Sequence, residues 1–179
     1  MFDAVLIANR GEIALRIARS CRQLGLRTVA ICSEADAQAA YLRHADLSIC
    51  IGPAAPARSY LDPAAILLAA ELSGAQAIHP GYGFLSEDAA FAAAVEQAGL
   101  VFVGPAAASI RTMGDKVAAK RSMLHAGVPC VPGPGDALPE DPQRILALAG
   151  AIGYPVIVKA SGGGGGRGMR VVAGPEQLV

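Results

Sequence analysis

The chain has 179 residues, 53% hydrophobic and 17% charged, with 15 basic and 15 acidic side chains. That length suits one ordinary domain and part of a second, and the net charge of zero argues against a nucleic-acid partner. The start at Met1-Phe2-Asp3 lacks the basic region of a signal peptide, and no apolar run approaches the roughly 18 residues of a membrane span.

In chain order, Ala4–Ala8 reads as a buried strand and Glu12–Leu24 as a helix, with Ile13, Ile17 and Leu24 on an apolar stripe and Arg16, Arg19 and Arg22 elsewhere. Gly25 stops that helix. Thr28–Cys32 is a second strand, Ala37–His44 a short helix and Leu47–Ile51 a third strand. Pro63–Leu72 is a helix ended by Gly74, Ala75–Ile78 a strand, Asp88–Gln97 a helix ended by Gly99, and Leu100–Val103 a fifth strand. Strands alternating with helices predict a parallel sheet covered on both faces, an α/β Rossmann-like doubly wound unit. Two helices follow, near Ala106–Met113 and Lys116–Ala126, then a Pro/Gly-rich connector over Val128–Leu138 and a helix over Pro142–Ile152. Pro175-Glu176-Gln177-Leu178 reads as one more helix start. Cysteines stand at 21, 32, 50 and 130 without a C-x-x-C. The first three sit in apolar contexts, and reduced thiols in a cytoplasmic protein are expected.

The most informative stretch is Pro155-Val156-Ile157-Val158-Lys159-Ala160-Ser161, five glycines from Gly162 to Gly166, then Arg167-Gly168-Met169-Arg170-Val171-Val172. It reads as strand, glycine loop, strand. Bare backbone lets N–H groups approach an anion closely, and Lys159 places a fixed charge beside the loop. A dinucleotide fingerprint needs a helix after the glycines, and the P-loop pattern needs Gly-Lys-Ser/Thr where this chain has Gly166-Arg167-Gly168. The pattern points to polyphosphate, as in the flap that covers ATP in kinases. Ordering five glycines costs roughly 1–2 kcal/mol each, so the flap is expected to be open without nucleotide.

Two further loops follow predicted strands, where open parallel sheets bind ligands. Asn9-Arg10-Gly11-Glu12 opens a helix. Either it forms an anion site, or Asn9 caps the helix and Arg10 pairs with a nearby acid. In His79-Pro80-Gly81-Tyr82-Gly83-Phe84, the glycines free the backbone around an outward Tyr82. His79 reads as a structural histidine, Phe84 and Leu85 as core, and Glu87 as either a helix-entry acid or an active-site acid.

Several of these motifs together resemble one family. Met113-Gly114-Asp115-Lys116, Val158-Lys159-Ala160-Ser161 and Gly162 through Met169 look like the ATP-grasp region of biotin carboxylase. Ile7 to Ala14 resembles the opening of that family, and His79 to Glu87 its next signature. The resemblance implies an N-terminal domain over 1–104, a helical connector over 105–130 and an incomplete ATP-grasp domain over 131–179. It implies that Lys116, Lys159, Gly162, Gly163, Gly164, Gly165, Gly166, Arg167, Gly168 and Met169 serve ATP, and that Tyr82 and Gly83 border the biotin pocket. The implied activity is ATP- and bicarbonate-dependent carboxylation of biotin with Mg²⁺, on a carrier protein and beside a carboxyltransferase component, as in acyl-CoA carboxylases of fatty acid biosynthesis. A homodimer is one option for assembly. The same resemblance implies that metal and bicarbonate residues lie after Val179, leaving a shortened or separately encoded chain with no assignable catalytic residue and no activity alone. Two other readings are open: another ATP-grasp ligase of carbamoyl-phosphate type, and a non-catalytic folding or dimerisation fragment using the arginine face of Glu12–Leu24.

Overall fold

The computed structural model describes residues 2–160 and 168–178 and divides the chain into two compact units, 1–110 and 111–179. The first unit runs β1 (Ala4–Ile7), α1 (Gly11–Gln23), β2 (Arg27–Cys32), two short 3₁₀ turns (Glu34–Asp36 and Ala40–His44), β3 (Leu47–Cys50), a 3₁₀ turn at Pro56–Arg58, α2 (Pro63–Ser73), β4 (Ala77–His79), α3 (Ala89–Gln97) and β5 (Val101–Phe102). All five strands are parallel, in the spatial order β3-β2-β1-β4-β5. The order reverses between β1 and β4, which is the Rossmann switch point where the ends of two neighbouring strands diverge.

Alternation of side chains sorts the core into two layers. Leu6, Val29, Ile31 and Ile78 point to one face and meet Ile66 of α2 and Phe91 and Val95 of α3. Val5, Ile7, Ala30 and Ala77 point to the other and meet Ile13, Ala14 and Ile17 of α1, with Tyr41 from the second 3₁₀ turn. A groove of about 480 Å³ opens on this second face beside α1, lined by Ile13, Ile17, Leu24, Leu26, His79 and Val103.

Several local expectations change. Ala37–His44 is not a helix; Asp36 and Tyr41 are held by side-chain bonds to Arg10 and to the Ile31 carbonyl, which leaves only 3₁₀ turns on either side of Ala39. Leu24 is not on the buried stripe: it is the C-cap of α1, with its backbone turned at the helix end and its side chain 75% exposed. Cys50 is exposed because β3 is the sheet's edge strand. Aspartates fix the helix starts. Asp62 accepts from Ala64 N–H and Ala65 N–H ahead of α2, and Asp88 accepts from Ala90 N–H and Phe91 N–H ahead of α3. Each such cap is worth about 1 kcal/mol.

In the second unit, α4 (Ala107–Gly114) starts inside the first, burying Ala107 and Ile110 in its core. Then come α5 (Lys116–His125), α6 (Pro142–Ile152), β6 (Val156–Lys159), β7 (Met169–Val172) and a 3₁₀ turn at Pro175–Gln177 in place of the expected helix start. Asp115 caps α5 by accepting from Ala118 N–H, and Asp141 caps α6 from Gln143 N–H, with Pro142 preset at the first helical position. β6 and β7 pair antiparallel, Val156 opposite Val172 and Lys159 opposite Met169.

Phe91 is buried and meets Phe102 edge-to-face at 6.1 Å. Replacing Phe91 by Ala is expected to lower unfolding free energy by about 3–5 kcal/mol, read from the midpoint of urea denaturation, whereas the same change at the exposed Phe84 is expected to lower it by less than half of that.

Candidate active site and family membership

At the switch point, Asn9 lies two residues past the end of β1, and β4 runs into Pro80-Gly81-Tyr82. Asn9 is buried and does not cap α1; the N-cap is Arg10, with no side-chain cap bond. Instead the Asn9 amide donates to the carbonyls of Pro80 at 2.7 Å and Tyr82 at 2.8 Å, and its Oδ1 accepts the Arg10 N–H at 2.9 Å. Long-range bonding takes the side chain away from the local role. Gly81 makes the approach possible: a Cβ there would lie 2.8 Å from Asn9 Nδ2, and its φ of +66° is left-handed.

The loop presents Tyr82 outward, 59% exposed, as its flanking glycines predict. The Tyr82 hydroxyl donates to Glu12 Oε1 in the first turn of α1, and that bond raises the phenol pKa. His79 Nδ1 accepts the Gly81 N–H at 3.0 Å, and burial lowers the imidazole pKa, so the ring is a neutral acceptor bracing the loop. Gly83 is left-handed and open on its Cβ side. Phe84 is not core: it sits at φ +41°, 36% exposed, and stacks on Tyr60 at 5.1 Å because the loop turns it outward there. Leu85 is buried as expected. Glu87 is exposed, one residue before the helix cap Asp88.

A polar network flanks this loop. Arg10 grips Asp36 with two hydrogen bonds, Nε to Oδ2 at 2.6 Å and Nη2 to Oδ1 at 2.5 Å. The Tyr60 hydroxyl donates to Asp36 Oδ2 at 2.6 Å and accepts the Ser33 N–H at 2.8 Å. Tyr41 donates to the Ile31 carbonyl at 2.8 Å. The acid for Arg10 was foreseeable in kind; Asp36, Tyr60 and Tyr41 were not, because isolated polar residues in irregular segments carry no periodic signal.

In the second unit, Lys159 ends β6, exposed, and faces Met169 across the hairpin. Ala160 N–H donates to the Gly168 carbonyl at 2.9 Å, and Gly168 adopts φ +68° to close the pair. Ile157, Val171 and Met169 are at least half exposed. Register places them with Lys159 on one side of the two-stranded sheet, an open apolar strip with a cation at its loop end. Lys116 is the first residue of α5, behind Asp115. The structure thus brings Lys159, Gly168 and Met169 together, and Tyr82 and Gly83 together, with Lys116 on a separate element. Gly162 to Gly166 and Arg167 lie outside the described residues. Among the described residues no three His, Cys, Asp or Glu side chains gather as a metal site.

Comparison with known proteins agrees with both halves. Residues 1–110 match the family described as biotin carboxylase, N-terminal domain, and residues 115–179 match carbamoyl-phosphate synthase L chain, ATP binding domain. The chain belongs to the biotin carboxylase family. It is 59% identical over its whole length to biotin carboxylase of Pseudomonas aeruginosa, covering 40% of that protein. A biotin carboxylase from Campylobacter jejuni in a beta-gamma-ATP complex superposes with TM-score 0.94 at 48% identity, over 99% of this chain and 40% of that one. The biotin carboxylase domain dimer of Hydrogenobacter thermophilus 2-oxoglutarate carboxylase, with MgADP, ADP and bicarbonate, gives 0.92 at 47% identity, over 99% and 39%. The chain therefore spans about two fifths of the length of these relatives.

The Arg10 contact holds the Asp36 carboxyl at about 2, below its ordinary 3.8. A depressed carboxyl stabilises the fold above its unfolded value and loses that contribution as pH falls through the folded one. Wild-type chain is expected to lose roughly 1 kcal/mol relative to Asp36→Asn between pH ~5 and ~2, the half-exposed Arg10 being partly screened. Urea midpoints of the two proteins across that range check it.

Proposed function

We propose that this chain supplies the N-terminal domain and the phosphate-binding hairpin of a biotin carboxylase. The reaction uses ATP to activate bicarbonate as carboxyphosphate and passes the carboxyl group to N1 of biotin on a carrier protein, with a carboxyltransferase component as the next partner and a cytoplasmic, dimeric setting. The observation that carries this reading is the hairpin: a strand-end lysine and a left-handed glycine beside an exposed apolar strip. The strip suits the flat face of a nucleotide base, and Lys159 with the glycine segment 162–166 suits its phosphates. Lys116, the first residue of α5, is assigned to the same phosphates. Arg167, Gly168 and Met169 are assigned to ATP as well. Mg²⁺ enters as the counter-ion that accompanies the polyphosphate.

Tyr82 and Gly83 are assigned to the biotin side. The loop that bears them sits at the switch point, where open α/β sheets receive ligands, and it is braced at Pro80 and at the Tyr82 carbonyl, so the ring is offered from a fixed backbone. The ATP-binding half is of a kind shared with carbamoyl-phosphate-type ligases; it is the first half, with this loop, that favours biotin as acceptor.

Two outcomes test the assignment in a protein of full family length carrying this chain. A lysine about 4 Å from one phosphate charge gains about 4 kcal/mol at an effective dielectric of ~20 and about 1 in bulk water. Lys159→Ala is therefore expected to lower kcat/KM for ATP at least about tenfold, while Arg58→Ala, on the 3₁₀ turn before Ser59, leaves it unchanged. Equal values for the two variants would remove Lys159 from the phosphates. Tyr82→Ala is expected to raise KM for biotin several-fold with KM for ATP held; the reverse pattern would put the loop elsewhere.

A further inference from the structure

Cys32 and Cys50 are the last residues of β2 and β3, and they are direct partners in the parallel register. In-register residues of neighbouring strands project to the same face, about 4.8 Å apart along the hydrogen-bonding direction. That spacing lies within the roughly 4.4–6.8 Å Cα range that disulfides span. The backbone is pinned on both sides of the pair: Ile51 N–H donates to the Cys32 carbonyl and Glu34 N–H to the Gly52 carbonyl, each at 2.9 Å. The partners differ in access. Cys32 is buried, while Cys50 is exposed on the edge strand, with its Sγ 3.8 Å from the Gly52 carbonyl oxygen. Cys21 and Cys130 have no such register partner, since Cys21 is inside α1 and Cys130 follows α5.

We propose that Cys32 and Cys50 form a dithiol that closes to an intramolecular disulfide by exchange with a low-molecular-weight disulfide. The exposed Cys50 thiolate attacks one sulfur of the small disulfide, giving a mixed disulfide on Cys50 and releasing one thiol. The Cys32 thiolate then attacks the Cys50 sulfur and expels the second thiol. Two protein thiols are oxidised, one disulfide is reduced to two thiols, and the two protein protons end on the released thiols. Burial and the adjacent Cys50 both push the Cys32 thiol up, which leaves the exposed Cys50 as the thiol that attacks first. The product would tie the edge strand to β2 one residue from Ser33, whose N–H is held by Tyr60.

The test uses the 179-residue chain with oxidised glutathione as the probe. Titratable thiols are expected to fall from four to two, the protein mass to drop by two hydrogen atoms, and non-reducing peptide mapping to join the Cys32 and Cys50 peptides. Cys32→Ser is expected to stop at a stable glutathione adduct on Cys50, and Cys50→Ser to leave Cys32 unmodified. The wild-type result stands whether or not either variant folds. A wild-type chain that keeps glutathione on Cys50 without closing, that stays unmodified, or that links through Cys21 or Cys130 would overturn the proposal.

Discussion

A single buried amide holds the switch point together. Asn9 spends both amide hydrogens on carbonyls more than 70 residues away and gives its oxygen to the next N–H, so every polar atom of the side chain has a partner. Without it, the Pro80 carbonyl would lose its partner in a buried setting, a cost of about 1–3 kcal/mol, and the part-buried Tyr82 carbonyl would lose one too. The geometry propagates. Arg10, the next residue, reaches Asp36, Asp36 holds Tyr60, and Tyr60 stacks on Phe84, which belongs to the same loop that Asn9 braces. The contacts form a closed circuit through three strand ends, and the outward Tyr82 stands on it. Ligand loops that must stay open to solvent gain rigidity this way, from polar bonds at their roots and not from burial at their tips.

Much of this was legible in the residues, and the parts that were not share a cause. Alternation of Val, Leu and Ile with helical stripes predicted all five parallel strands and α1, α2 and α3, because burial imposes a period. The two strands of the hairpin were legible because β-branched residues flank the glycines, while the register that sets Lys159 opposite Met169 comes from the structure. What escaped is aperiodic. Ala37–His44 has helical composition, but Tyr41 within it and Asp36 just before it are recruited by the Ile31 carbonyl and by Arg10 outside the segment, and local propensity loses. Asn9 has the chemistry of a cap and is used as a brace for the same reason. Phe84 carries a core residue's side chain on a backbone turned outward, which no pattern of hydrophobicity records.

The hairpin raises a different balance. Two strands alone are marginal, and β6–β7 buries Val172 well while leaving Ile157, Val171 and Met169 open on its far side. A planar ligand laid on that strip would cover apolar surface the fold leaves wet. Binding and local folding are then linked, and occupancy would stabilise the unit by mass action. On the proposed assignment, the apolar strip and the lysine at its end would divide the work between desolvation and charge.

The two glycines either side of Tyr82 look equivalent in the sequence and are not. Both are left-handed, but a methyl group at Gly81 collides with the Asn9 side chain, whereas at Gly83 it meets nothing within 4 Å. The first position is closed by packing and the second only by torsional preference. Asparagine, which tolerates the left-handed region, is thus admissible at one and not the other. Drift in this loop has an entrance on the outer side of the ring and none on the inner: a side chain is admitted at residue 83, while residue 81 stays fixed with Asn9.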